Sequence, residues 1–515
     1  MFDKLTTDYS VAASAAALII GGLSLYATYF LFLHPLSSYP GPWLAKLTDW
    51  YTGFHAHHEA YGPVVRIAPN RLVFNTVTAL HDIYQNDRVV KSHTYRASVR
   101  HNVDNVFTSL DKALHRSKRR MVGAALTERA TKSFEPTVLQ QIDIYLLALL
   151  AHTRQSEAVN MTERTRWLAL DIVARLSFGY DLKAQTREEN RFVSKALAFG
   201  LYRENIWHHV FFLSKLYFDK IFDRVFFESR EKYLRLLEKM IKSRLSRGDE
   251  DGDRDFYSFI SELRAADGGD VRKGELWWEA NFLIVAGSDT TATAMSATFF
   301  YLSRYPECYA KLRSEIRSTF ASGKDITSGP QLASCQYLRA CIDEAMRLSP
   351  PLPGTLWRRQ DPNDTAAGPL IIDGHFIPPG TLFGISAYAI HHNPKYFPDT
   401  FIFRPERWLG EQTSSSSDAF AVFSVGSRSC GGKALAYMES SLVIAKTLWY
   451  FDFEAPPPSR QSKGVGIGAG NVNGPPGRRR VDEFQLEDIF TSRHDGPMLV
   501  FRPREEMCKD LEASA

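Results

Sequence analysis

The residues best suited to chemistry gather around one cysteine. Cys430 sits in FSVGSRSCGG, Phe423 to Gly432, and is one of five cysteines in 515 residues. A thiol in such a place is half of a disulfide, a zinc ligand, a nucleophile, a haem ligand or an inert core residue. Cys308, Cys335, Cys341, Cys430 and Cys508 are odd in number, widely spread and contain no C-x-x-C pair. That argues against a disulfide framework and a structural zinc site, and it places the catalytic part in a reducing compartment. Gly426 permits a tight turn, Gly431 and Gly432 let another surface approach the backbone, and Arg428 adds positive charge. The apolar-periodic KALAYMESSLVIAKTLWYF follows, so Cys430 is predicted just before a helix N-terminus, a setting that favours a thiolate. A nucleophile would want a histidine base, and no local pairing identifies one. A sole haem ligand needs only this loop, whereas an inert cysteine would leave Phe423, Gly426, Arg428 and Gly432 unexplained.

Other groupings carry weaker signals alone. Gly287, Asp289 and Thr290 interrupt the long apolar helix predicted for LWWEANFLIVAGSDTTATAMSATFFYL. Propensity and burial both oppose them there, so they mark a kink or a function. HRSKRR puts His115 and Arg119 one turn apart on one helix face, with Arg116, Lys118 and Arg120 on the others as a basic surface. EAMR places Glu344 and Arg347 three residues apart, as many surface helices do; RPERW contributes Arg407, and PPLPGTLWRR contributes Arg358 and Arg359.

In this order the segments resemble the cytochrome P450 family over nearly the whole chain after its first 34 residues. FSVGSRSCGG is similar to the family's haem loop, F-x-x-G-x-R-x-C-x-G, matched at Phe423, Gly426, Arg428, Cys430 and Gly432. The resemblance implies a haem b whose iron is bound by the Cys430 thiolate. It implies His115, Arg119 and Arg358 at the propionates, with Phe423 and Arg428 in the haem loop; Arg359 fits the spacing less well. Asp289 and Thr290 would relay protons for oxygen activation, and Gly287 would let a ligand approach the helix. Glu344, Arg347 and Arg407 would form a buried structural network. The implied reaction is hydroxylation or epoxidation of a hydrophobic small molecule with dioxygen. Electrons would come from NADPH through a separate NADPH-cytochrome reductase, with cytochrome b5 as a further candidate donor. The alternatives are a haem-thiolate isomerase or dehydratase that does not use dioxygen, and a non-catalytic haem-binding protein; the retained Asp289–Thr290 pair favours the monooxygenase. HPLSSYPGP, DKALHRSKRR and FRPERWLG resemble fungal members that tailor secondary metabolites, with terpenoid, alkaloid, polyketide and peptide scaffolds all open.

The elements that must position these residues read as mainly α with a small β portion, the cytochrome P450 fold. Residues 1–34 are expected to be a single membrane anchor: Val11 to Leu33 runs 23 residues without a charge, and three prolines and a glycine in HPLSSYPGPW then break the helix. Catalysis would belong to one domain over 35–515, on the cytosolic side of the endoplasmic reticulum membrane. PVVRIAP and RLVFNT read as a hairpin, residues 79–348 as mostly helical, and LIIDGHFIPPGTLFGISA as returning strands. RGDEDGDRD reads as an exposed polar loop, and 456–480, rich in Gly, Pro and Ser, as a disordered insertion. A net charge of +4 is slight for this length and there is no basic–aromatic run, so no nucleic-acid partner is expected. Segments 93–107, 194–212 and 352–357, with Phe282, are expected to line an apolar substrate pocket, and Gly354 to leave room near the haem.

Overall fold

A computed structural model describes residues 2–48, 58, 60–99, 103–154, 157–211, 224, 227–246, 255–260, 273–410, 413–457, 466–475 and 477–512. Within it the chain divides into two compact units, one of Met1–Ser92 with Thr355–Ser386, the other of His93–Gly354 with Ala387–Ala515.

The first unit begins with helix α1, Phe2–Thr28, which continues as one wider π turn over Tyr29–Leu33. His34 is extended and precedes Pro35, whose ring cannot continue the helix. Ala16–Leu33 is long and apolar enough to cross a membrane, and none of it is buried. The expected hairpin forms: β1 (Val64–Ala68) pairs antiparallel with β2 (Arg71–Phe74), turning at Pro69–Asn70. With β3 (Val89–Lys91), β5 (Arg358–Gln360) and β8 (Leu382–Ile385) they make a five-stranded sheet in the order β1-β2-β8-β5-β3. All the residues of β1, β2 and β8 are buried, which is why they are runs of Val, Ile, Leu and Phe rather than alternating polar and apolar. Arg66, fully buried within β1, donates to the Pro69 carbonyl and, 2.9 Å away, to the carbonyl of Phe30. Burial pushes its guanidinium down to about 10. β6 (Leu370–Ile372) and β7 (His375–Ile377) form a separate hairpin.

The second unit is helical. Its axis is the 32-residue helix Lys273–Arg304. Helices Met161–Phe178, Gln336–Leu348 and Lys433–Tyr450 pack around it. Their apolar faces share one core with Glu128–Thr153, through residues such as Ile142, Leu168, Phe300, Ile342 and Leu442. Side chains close the helix starts: Asp111 accepts from the Leu114 N–H at 2.7 Å, and Thr127 accepts from Ala130. Small sheets complete the unit, β4 (Val159–Asn160), β12 (Met498–Pro503) and β9 (Phe451–Glu454) in one, β10 (Glu487–Ile489) and β11 (Thr491–Arg493) in a hairpin.

Of the stretch 456–480, expected to be disordered, residues 456, 457, 466–475 and 477–480 are described: Asn471 N–H donates to the Arg478 carbonyl at 2.8 Å, Gly466 N–H donates to Asp495 at 2.8 Å, and Ala469 bridges Phe484. Residues 247–254 of the polar loop lie outside the described residues.

Candidate active site

Cys430 is held by its backbone. Its N–H donates to the Phe423 carbonyl at 2.8 Å, and Ser429 N–H closes a turn onto the Gly426 carbonyl at 3.1 Å. Gly426 has φ +77°, which a side chain would oppose. The loop feeds helix Lys433–Tyr450 as the sequence predicts. Phe423 packs its ring on Tyr437, centroids 5.1 Å apart, fixing the start of the loop to that helix. Among the five cysteines, Cys430 is the exposed one; the other four are buried. Its thiol nevertheless stands in dense surroundings, and loss of hydration raises its pKa, against the lowering effects of the Gly432 N–H, Arg119 and Lys433.

His115 and Arg119 occupy one face of helix Lys112–Ala124, His115 buried and Arg119 reaching the haem-type loop, where its Nη1 donates to the Ser429 carbonyl at 2.7 Å. Arg428 reaches the other way, donating to the carbonyls of Ser109 at 2.6 Å and Leu110 at 3.2 Å. These two arginines lock the cysteine loop to the start of the helix, and a guanidinium's five donors are not exhausted by such contacts. Lys118 departs from expectation. It is not on the surface but buried, its Nζ 3.0 Å from Glu279 Oε1, while Glu279 Oε2 accepts the Val106 N–H at 3.0 Å. Arg116 and Arg120 alone remain exposed from that basic run. Arg358 belongs to the first unit, on β5, buried, with its guanidinium 4.8 Å from the Tyr84 ring and donating to the carbonyls of Leu356 and Trp357.

On the long helix, the polar residues that seemed costly satisfy themselves. Ser288, Thr290, Thr293 and Thr298 each donate to the carbonyl four residues back, Thr290 to Ala286 at 2.6 Å. Asp289 is buried between two neighbours that the sequence did not reveal: Arg166, whose Nε lies 3.2 Å from Oδ1, and Thr491, whose hydroxyl donates to Oδ2. Arg166 is one of five charged residues in helix Met161–Phe178, so nothing in the sequence singles it out, and Thr491 leaves no signal either. Gly287 faces away from the expected use. A Cβ there would lie 2.9 Å from Cγ2 of Val173, so the glycine lets helix Met161–Phe178 pack closely. Gly354 differs too: a Cβ there would lie 2.7 Å from Oδ2 of Asp488, so the space is taken by that carboxylate.

Aromatic rings from the expected lining segments converge, with one addition. Phe107 stacks on Phe282 at 5.5 Å and meets Phe490 edge-on at 5.6 Å; Tyr95 touches Phe107 and His208, and His208 lies 5.1 Å from Phe490. Phe490, in the β10–β11 turn, was missed because nothing in its local sequence distinguishes it. Arg96, beside these rings in sequence, is exposed and pairs with Asp104 at 3.3 Å.

Glu344 is fully buried and shared. Arg347 meets both its oxygens at 2.9 Å, Arg407 Nε lies 2.9 Å from Oε1, and Trp408 Nε1 donates to Oε2 at 3.0 Å. Burial alone would raise its pKa, but the two arginines and these bonds hold it below the usual carboxylate value. Arg347 also donates to the carbonyls of His391 and Thr400, at 2.9 and 2.8 Å. All charges are paired, as a buried network requires.

A lone accessible sulfur donor in a glycine loop, clamped by two arginines, fits a haem, which would need one thiolate for its iron and cations for its carboxylates. Comparison with known proteins agrees. The cytochrome P450 family model matches residues 40–470. The chain is 35% identical to the cytochrome P450 monooxygenase AKT7 of Alternaria alternata, over 97% of this chain and 99% of that one. It is 35% identical to the cytochrome P450 monooxygenase poxM of Penicillium oxalicum, over 96% and 94%. To apf7 of Gibberella fujikuroi, also a cytochrome P450 monooxygenase, it is 34% identical over 93% and 96%.

Proposed function

The chain belongs to the cytochrome P450 family of haem-thiolate monooxygenases, and we propose that it hydroxylates or epoxidises a hydrophobic small molecule in the tailoring of a fungal secondary metabolite. The observation that carries this reading is the accessible Cys430 in its arginine-clamped loop, in the same unit as the Asp289–Thr290 pair. A haem held here would supply the reduction of dioxygen by two electrons and two protons, one oxygen atom going to the substrate and the other leaving as water.

In this proposal Cys430 would bind the iron through its sulfur, His115, Arg119 and Arg358 would neutralise the propionates, and Phe423 and Arg428 would shape the loop. Thr290, whose hydroxyl proton points at the Ala286 carbonyl, offers lone pairs to a ligand and so orients it as an acceptor. Asp289 accepts from Arg166 and Thr491; turning away from them would let it pass protons inward. The retained pair favours oxygen activation over isomerisation or dehydration. Electrons would arrive singly from an NADPH-cytochrome reductase, with cytochrome b5 as a second donor. The apolar helix α1 would hold the protein at the endoplasmic reticulum membrane with its catalytic part in the cytosol.

Replacing the ligand tests the central assignment. Cys430→Ser is expected to abolish the thiolate-type Soret band of the reduced carbon-monoxide complex. An unchanged band would remove Cys430 from the role.

A further inference from the structure

Asp488 is a carboxylate two residues before Phe490, with no ion-pair partner among the described residues. It lies on β10, half-buried. Its Oδ1 accepts the Phe490 N–H at 3.0 Å, an Asx turn that shapes the hairpin, and its backbone carbonyl accepts from Asn205 at 2.8 Å. Its Oδ2 points at the backbone of Gly354, where any larger residue would cover it. The nearby cation on the hairpin, Arg493, pairs instead with Glu487 at 3.6 Å. Among the described residues no cation forms an ion pair with Asp488.

The turn could be built without charge, since asparagine offers the same side-chain oxygen to the Phe490 N–H. A carboxylate there costs desolvation, and burial does push its pKa up to about 6. A cation alongside would offset that cost. Phe490, which the turn positions, is part of the ring cluster with Phe107, Phe282 and His208, and Asn205 shares a helix with His208. Aromatic faces attract organic cations as well as apolar bodies.

We infer that Asp488, left uncovered by Gly354 and building the turn that sets Phe490 against Phe107 and His208, seats a basic nitrogen of the substrate, so that this enzyme takes apolar molecules bearing an organic cation. The inference rests on the monooxygenase reading and names the substrate class of that site. Gly354 and Asp488 act here as specificity residues. The carbon skeleton is then placed by where its nitrogen is anchored, which sets which carbon is presented for oxidation.

The test uses two probes of one shape, benzyltrimethylammonium and its uncharged carbon isostere neopentylbenzene. A quaternary ammonium has no lone pair and so cannot ligate iron. Their binding to the purified full-length haem-loaded protein is measured by equilibrium dialysis, for the native chain, Asp488→Asn and Gly354→Ala. Each preparation is first checked for the reduced carbon-monoxide band. Asp488→Asn is expected to weaken the cation about tenfold or more and to leave the isostere within about twofold. Gly354→Ala, which keeps the charge but crowds it, is expected to weaken the cation in the same selective way, and it decides the matter alone if the asparagine variant does not fold. Equal effects on both probes, or none on the cation, would overturn the inference while the carbon-monoxide band stays intact. Loss of the thiolate-type band in the native protein would instead overturn the monooxygenase reading.

Discussion

Thr290 spends its hydroxyl proton on the Ala286 carbonyl, 2.6 Å away, so it meets a ligand as an acceptor. Removing that acceptor should loosen the coupling of electron use to product rather than stop electron use. Thr290→Ala is expected to consume NADPH at a similar rate while product per NADPH falls by roughly tenfold and hydrogen peroxide takes up the difference. Parallel assays of NADPH, peroxide and product check this, and unaltered coupling would take Thr290 out of the relay. At this scale, legibility followed sequence distance. Cys430, Phe423 and Arg428 were readable because one loop carries its own turn, charge and thiol within ten residues. Lys118 was misread as a surface charge because its partner, Glu279, lies on a helix far along the chain. Gly354 was misread for the same reason: the carboxylate facing it comes from a distant hairpin.

Helix Lys433–Tyr450 shows what an element can hide. Its apolar period was plain, but Glu439 falls on the buried side, and its Oε2 has no hydrogen-bond partner among the described residues. Burial pushes its pKa up to about 8. An acid whose pKa is raised on folding stabilises fully below its unfolded value, and the benefit is lost as pH rises through the folded one. The native protein should therefore lose about 2 kcal/mol from this group between about pH 6 and pH 8. Glu439→Gln removes that contribution. Chemical denaturation of both proteins across the interval is expected to show a flatter profile for the variant; parallel profiles would refute a protonated Glu439. Helix Gln336–Leu348 gives the opposite case. Glu344 and Arg347 have a spacing shared with any surface helix, and only the family resemblance marked them as interior. The structure explains why that interior is tolerable: every oxygen of Glu344 meets a donor.

In the whole molecule, helices, hairpins and the apolar N-terminal stretch were legible from period and composition, because each is a local pattern. The division into two units was not, since it depends on contacts closed across the chain. The N-terminal helix can be tested as an anchor without disturbing the sheet, because the Arg66 contact falls just beyond Thr28. Deleting residues 2–28 is expected to move the protein from the membrane pellet to the supernatant with its carbon-monoxide band unchanged. Extending the deletion through residue 34 removes the Phe30 carbonyl and should cost a further 1–3 kcal/mol or so. Fractionation and denaturation of the two truncations check this, and a short deletion that stays with the membrane would argue against the anchor. The same guanidinium has a mechanical effect. Arg66 works like a key in a shaft: rotation of the helix about its own axis must carry the five-stranded sheet along, so any bilayer that sets the roll of one sets the heading of the other.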